Sequence, residues 1–149
     1  MYLIALIVTL IIMMLAVFGS GLFYVFDSLS LIVVFGVSIA LLLVTGLWRD
    51  FKRSVRIMFI KKNPYNLHEL YRAKLSVTAF QALLLTSGLY GTVLGLIALL
   101  QGNQRPNIFL PSVSVSLITL FYSLTAIIIL MPIRFKIKSL IIDLEHKND

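Results

Sequence analysis

Cysteine is absent from this 149-residue chain, which excludes disulfides and thiolate-held metal sites. Charge is scarce. Asp, Glu, Lys and Arg together make up 13% of the residues, and only six are acidic. Histidine occurs twice, at His68 and His146, each alone in a polar segment. No nucleophile–base arrangement is visible around either, so the sequence offers neither enzyme chemistry nor a cofactor or metal ligand set. What remains is apolar: 60% of the chain is hydrophobic. A soluble fold this small could not bury so much apolar surface, and the solvent implied is lipid.

Crossing the hydrocarbon takes about 20 apolar residues in a helix. Four stretches meet that requirement, at 2–24, 29–48, 77–100 and 111–133. The first has no Lys or Arg ahead of it, runs too long for a signal peptide and is followed by no A-x-A site, so it reads as a retained span. The expected fold is therefore an all-α integral membrane protein with four transmembrane helices in a single domain, 1–149.

Net charge is +7, unevenly placed. Arg49, Lys52, Arg53, Arg56, Lys61, Lys62, Arg72 and Lys74 lie between the second and third spans. Arg134, Lys136, Lys138 and Lys147 follow the fourth, and only Arg105 joins spans three and four. The positive-inside rule then puts both termini, the loop 49–76 and the tail 134–149 in the cytoplasm. Phe23, Tyr24 and Phe26 suit an outer aromatic belt, Trp48 and Phe51 an inner one. The basic loop reads as a topology signal and a contact for lipid headgroups rather than for nucleic acid.

Part of that loop has helical periodicity. In "WRDFKRSVRIMF", Phe51, Val55, Met58 and Phe59 share a face, with Lys52, Arg53 and Arg56 beside it. The segment reads as a cytoplasmic extension of span two, lying against the bilayer or a neighbour. Pro64 then disfavours helix at Asn63. Asn66 and Glu69 have capping-box spacing, which starts the next helix near Leu67. "MPIRFKIKSLIIDLEHK" continues the last helix into the cytoplasm.

The last two spans carry the patterns. Glycine in a helix interior costs about 1 kcal/mol relative to alanine, yet Gly88, Gly91 and Gly95 interrupt span three, with Thr92 among them. All four fall within about 100° of arc, and Gly91-x-x-x-Gly95 is a close-packing spacing. In span four Ser112, Ser116, Thr119, Ser123 and Ala126 fall within about 80° of arc. Hydroxyls facing lipid would be wasted, so this stripe faces another helix or a wet lumen. It serves either packing, with hydroxyls bonded back to their own helix, or a pore. No ionisable side chain lies within any span. A cation crossing here would need its titrating group from another polypeptide, and independent proton-coupled export is disfavoured.

"GLYGTVLGLIALL" at 88–100 resembles the third-span motif of the MotA/TolQ/ExbB channel family. "SLITLFYSLTAIIILMPI" at 116–133 is similar to the MotA fourth span, with Tyr122 and Pro132 in the family's positions. "DSLSLIVVFGVSIALLL" at 27–43 resembles the segment that opens the MotA second span. The resemblance implies a homo-oligomeric ring, typically a pentamer, in the bacterial inner membrane. The ring surrounds the single-span helices of a MotB-, TolR- or ExbD-like partner whose membrane aspartate takes up protons or sodium, and ion flow does mechanical work in the cell envelope. It further implies an ion path along Thr92, Thr119, Ser116 and Ser123, with Gly88, Gly91 and Gly95 permitting close helix approach. No cofactor or metal is implied. Leu85, Leu120, Leu29 and Val37 stand where the family has a proline, a threonine, a proline and a glycine, and Ser123 replaces another glycine. The family's stator members have a much longer region between spans two and three, so the surface that would engage a flagellar rotor is largely missing. A non-conducting scaffold of the same descent is the alternative.

Overall fold

The computed structural model describes residues 2–19, 27–60, 64–101 and 106–148, except for the side chains at 3, 13, 14, 16–19, 106–112, 147 and 148. Every element among them is helical: α1 (Tyr2–Gly19), α2 (Ser28–Val44), α3 (Trp48–Phe59), α4 (Leu67–Gln101) and α5 (Pro106–Asn148). The outer aromatic residues Phe23, Tyr24 and Phe26, the cations Lys61, Lys62 and Arg105, and the side chains of Ser112 and Lys147 lie outside the described set.

Two stretches, Leu67–Gln101 and Val113–His146, are long and apolar enough to cross a membrane, which marks a membrane protein. At 1.5 Å per residue each exceeds the roughly 30 Å hydrocarbon, so their ends reach beyond it. They pack along one another as the centre of the fold, with α2 and α3 against α4 and with α1 against α5. The core runs through Val34 and Leu42 of α2, Val77, Phe80 and Leu84 of α4, and Leu130 and Ile137 of α5.

Local signals explain the ends. The Asp27 carboxylate accepts from the backbone N–H groups of Leu29 and Ser30 and caps α2. That helix stops at Val44 because Gly46 takes a left-handed φ of 71°, the glycine-favouring stop beyond a helix end. The chain then turns by 112° into α3. Trp48 therefore opens a separate helix, and "WRDFKRSVRIMF" runs across the direction of α2 rather than extending it. The Asn66 N–H donates to Glu69 Oε2 at 3.2 Å, and α4 begins at Leu67, where the capping-box spacing places it. Pro132 does not interrupt α5, which carries on to Asn148.

α2 is not uniform. Residues Ile32–Gly36 form a π-helical turn, which adds one residue to the helix. Eight α-helical steps would leave Ser30 and Ser38 about 80° apart, whereas the added residue reduces this to about 20°. Both serines are buried, as is Val34 between them.

Polar contacts hold α3 in place. Asp50 is 4% exposed, with its carboxylate between Arg53 (2.9 Å) and Arg72 (3.0 Å); Arg53 also reaches Glu69 at 3.3 Å. Ser54 Oγ sits 2.8 Å from the Asp50 carbonyl, 2.9 Å from that of Ala73 and 3.2 Å from Ser76 Oγ. At the far end of α3, Lys136 Nζ donates to the carbonyls of Met58 (3.0 Å) and Ile60 (2.9 Å). Burial pulls the Lys136 ammonium below the ordinary lysine pKa.

Candidate functional site

The glycines of α4 and the hydroxyl residues of α5 meet one for one. A Cβ placed on Gly88 would lie 2.4 Å from Ser123 Cβ. One on Gly91 would lie 2.7 Å from Thr119 Cγ2, and one on Gly95 2.7 Å from Ser116 Oγ. Positions 88, 91 and 95 ascend as 123, 119 and 116 descend, the register of an antiparallel helix pair. The two stripes are thus the two halves of one contact, in which glycine admits a serine or threonine knob. Leucine or valine in place of these glycines would force the helices apart.

The hydroxyls are engaged within the chain. Thr92 is buried and donates to the Gly88 carbonyl at 2.8 Å, and Ser123 donates to the Leu120 carbonyl at 2.8 Å. Ser116 and Thr119 are also buried. The Tyr122 hydroxyl accepts from the Asp27 N–H at 3.1 Å and so ties α5 to the start of α2. Pro132 is half-buried further along the same helix.

Residue spacing does not link Asp27 to the stripe, but the structure does. Ser30 Oγ hydrogen-bonds Asp27 Oδ2 and lies 2.9 Å from Thr119 Oγ1. A carboxylate only accepts and a serine carries one hydroxyl proton. The order is therefore fixed: Thr119 donates to Ser30, and Ser30 donates to Asp27. Helped by two backbone N–H groups, and opposed by slight burial, the Ser30 bond holds the Asp27 carboxyl below the usual carboxylate range. Ser38 and Ser87, 3.0 Å apart, join α2 to α4 at a second level; both reach the Val34 carbonyl, at 2.6 and 3.2 Å. Only the π-helical turn brings Ser30 and Ser38 to one face, and period-3.6 counting cannot anticipate that.

A half-open cavity of about 310 Å³ lies where α2, α4 and α5 meet at this end. Its walls include Asp27, Ser30, Val33, Gly95, Ser116 and Thr119. The volume suits a few side chains from a neighbour, not a whole helix of about 10 Å diameter. Of the residues singled out from the sequence, Gly91, Gly95, Ser116 and Thr119 border the cavity, whereas Gly88, Thr92 and Ser123 lie outside it. Among the described residues no group of three or more His, Cys, Asp or Glu side chains could hold a metal ion.

Compared with protein-family models, curated proteins and solved structures, the chain matches none.

Proposed function

We propose that the protein is a MotA/TolQ/ExbB-like membrane subunit. α1, α2, α4 and α5 cross the bacterial inner membrane, with both termini and α3 on the cytoplasmic side. Five copies form a ring around a MotB-, TolR- or ExbD-like single-span partner that supplies a membrane aspartate. Proton or sodium flow past that aspartate does mechanical work in the cell envelope. The reading rests on one observation above all. Motif residues Gly91, Gly95, Ser116 and Thr119 border one half-open cavity, and a hydroxyl relay leads from Thr119 through Ser30 to Asp27. Such a cavity offers seats for side chains of an inserted helix and oxygen ligands for a desolvated cation. The asymmetry of Lys and Arg supports the topology.

The test is to purify the complex from its native membrane in mild detergent and weigh it by native mass spectrometry. The expected result is several copies of this chain with an aspartate-bearing single-span polypeptide; a monomer without such a partner refutes the reading.

A second reading, a non-conducting scaffold of the same descent, has its own support: the Thr92 and Ser123 hydroxyls already bond carbonyls of their own helices. Thr92→Ala separates the two. An ion path loses ion-driven function while the complex still assembles; a scaffold loses nothing.

A further inference from the structure

We propose that α3 is an in-plane helix that gathers anionic phospholipid headgroups around the cytoplasmic end of α2. The inference rests on the proposed topology, in which α2 crosses the membrane with α3 at its cytoplasmic end, and it is independent of the ring and its partner.

The helix has one face fixed to the protein. Asp50, Ser54, Ile57 and Met58 are buried, and the Asp50 and Lys136 contacts hold that face in place. The opposite side divides into two adjoining arcs. Arg49, Lys52 and Arg56 span about 60° of arc, and Trp48, Val55 and Phe59 span about 40° beside them. The three cations are exposed, Phe59 is 67% exposed and Val55 37%, and Trp48 is half-buried. No acidic residue shares this side, because Asp50, the helix's only acid, is on the buried face. Lys52 Nζ lies 5.4 Å from the Trp48 ring centroid, so the two arcs touch.

Orientation selects the occupant. The 112° turn sends α3 across the axis of α2 and slightly back along it. Over its 12 residues the far end climbs about 7 Å toward the level of the span. Phe59, the most exposed hydrophobic side chain of α3, is at that end. An apolar edge against the acyl boundary beside a cationic edge at headgroup level is the arrangement of an interfacial helix on an anionic leaflet. An acidic soluble protein would use the cations but leave the apolar edge without a role.

Trp48 is the only tryptophan in the chain, so the full-length protein reports on its own lipid contacts. It is reconstituted in two bilayers of phosphatidylcholine with a minority of phosphatidylglycerol. In one, the phosphatidylglycerol is brominated; in the other, an equal fraction of the phosphatidylcholine is. The expected result is stronger Trp48 quenching by the anionic brominated lipid. Each cation at an anionic surface raises local headgroup occupancy about fivefold at low salt, so the preference should fade as salt is added. It should vanish in the combined Arg49→Gln, Lys52→Gln, Arg56→Gln variant. Taking the ratio of the two bilayers cancels any direct effect of Lys52 on the indole. Retained quenching by brominated phosphatidylcholine shows that the variant's α3 still lies at the interface. Three results would each overturn the proposal: equal quenching in both bilayers, a preference that survives the triple substitution, or a Trp48 that neither lipid quenches because a protein covers it.

Discussion

Gly88→Ala is the sharpest probe of the α4–α5 contact, because two effects of similar size oppose each other. Alanine recovers about 1 kcal/mol of helix propensity. Against that, its Cβ would sit 2.4 Å from Ser123 Cβ and 2.2 Å from Ser123 Oγ. Rotating the serine moves Oγ but not Cβ, which is fixed to the backbone, so the helices must separate by about 1 Å here to restore contact distance. Overpacking of this kind costs about 1–3 kcal/mol, and the absence of any rotamer escape places Gly88 at the upper end. The net expectation is a loss of about 1–2 kcal/mol. Gly95→Ala meets chiefly the Ser116 hydroxyl, with Ser116 Cβ at 3.1 Å, and should be close to neutral. The assay is reversible SDS unfolding in mixed micelles, followed by Trp48 fluorescence. Second-site changes make the test specific. Ser123→Gly should rescue Gly88→Ala by removing the blocking carbon, whereas Ser123→Ala should not, because it keeps that carbon. Equal rescue by both, or wild-type stability of Gly88→Ala, would refute the proposed interlock.

Asp50→Asn removes the shared partner of Arg53 and Arg72. Because Arg72 is half exposed, the cost should be about 1–3 kcal/mol in SDS unfolding, less than for a sealed pair, and an unchanged midpoint would count against the clamp. Lys136→Met leaves the Met58 and Ile60 carbonyls without their donor; hydrogen exchange should speed up in α3 and not in the middle of α4, and uniform exchange would refute a local role. Asp27→Asn keeps an N-cap but loses the charge. Folding lowers the Asp27 pKa from 3.8, so the carboxylate's contribution is complete above that value and disappears as pH falls through the lower folded pKa. The stability gap between wild type and variant should therefore close on acidification, and a gap that widened would show the sign to be wrong.

Repeating patterns were the legible part of this fold. The glycine and hydroxyl stripes show in the residue spacing, and the structure pairs them. Asn66 with Glu69 announces the start of α4. The residues of α3 alternate in a helical rhythm before any coordinates are known. What stayed hidden depends on breaks in that rhythm. Gly46 ends α2 only because it adopts a left-handed φ, and an apolar run that simply continues through it gives little warning. The π-helical turn shifts the register within Ile32–Gly36, and without that shift Ser30 and Ser38 seem to look different ways. Asp27 reads as a rim residue until a serine three positions on links it to Thr119, a residue 92 positions away in the chain.

The extra residue in α2 also gives that helix a tolerance that regular α-helices ordinarily lack. Losing one amino acid from such a helix usually swings everything beyond the gap around by about 100°. Here, excising a single residue within 32–36 would let the backbone relax to ordinary α-helical pitch and leave Ser30 and Ser38 aimed at Thr119 and Ser87 much as before. The helix carries a spare residue, so its length could change by one in the course of descent without scrambling what it holds on to.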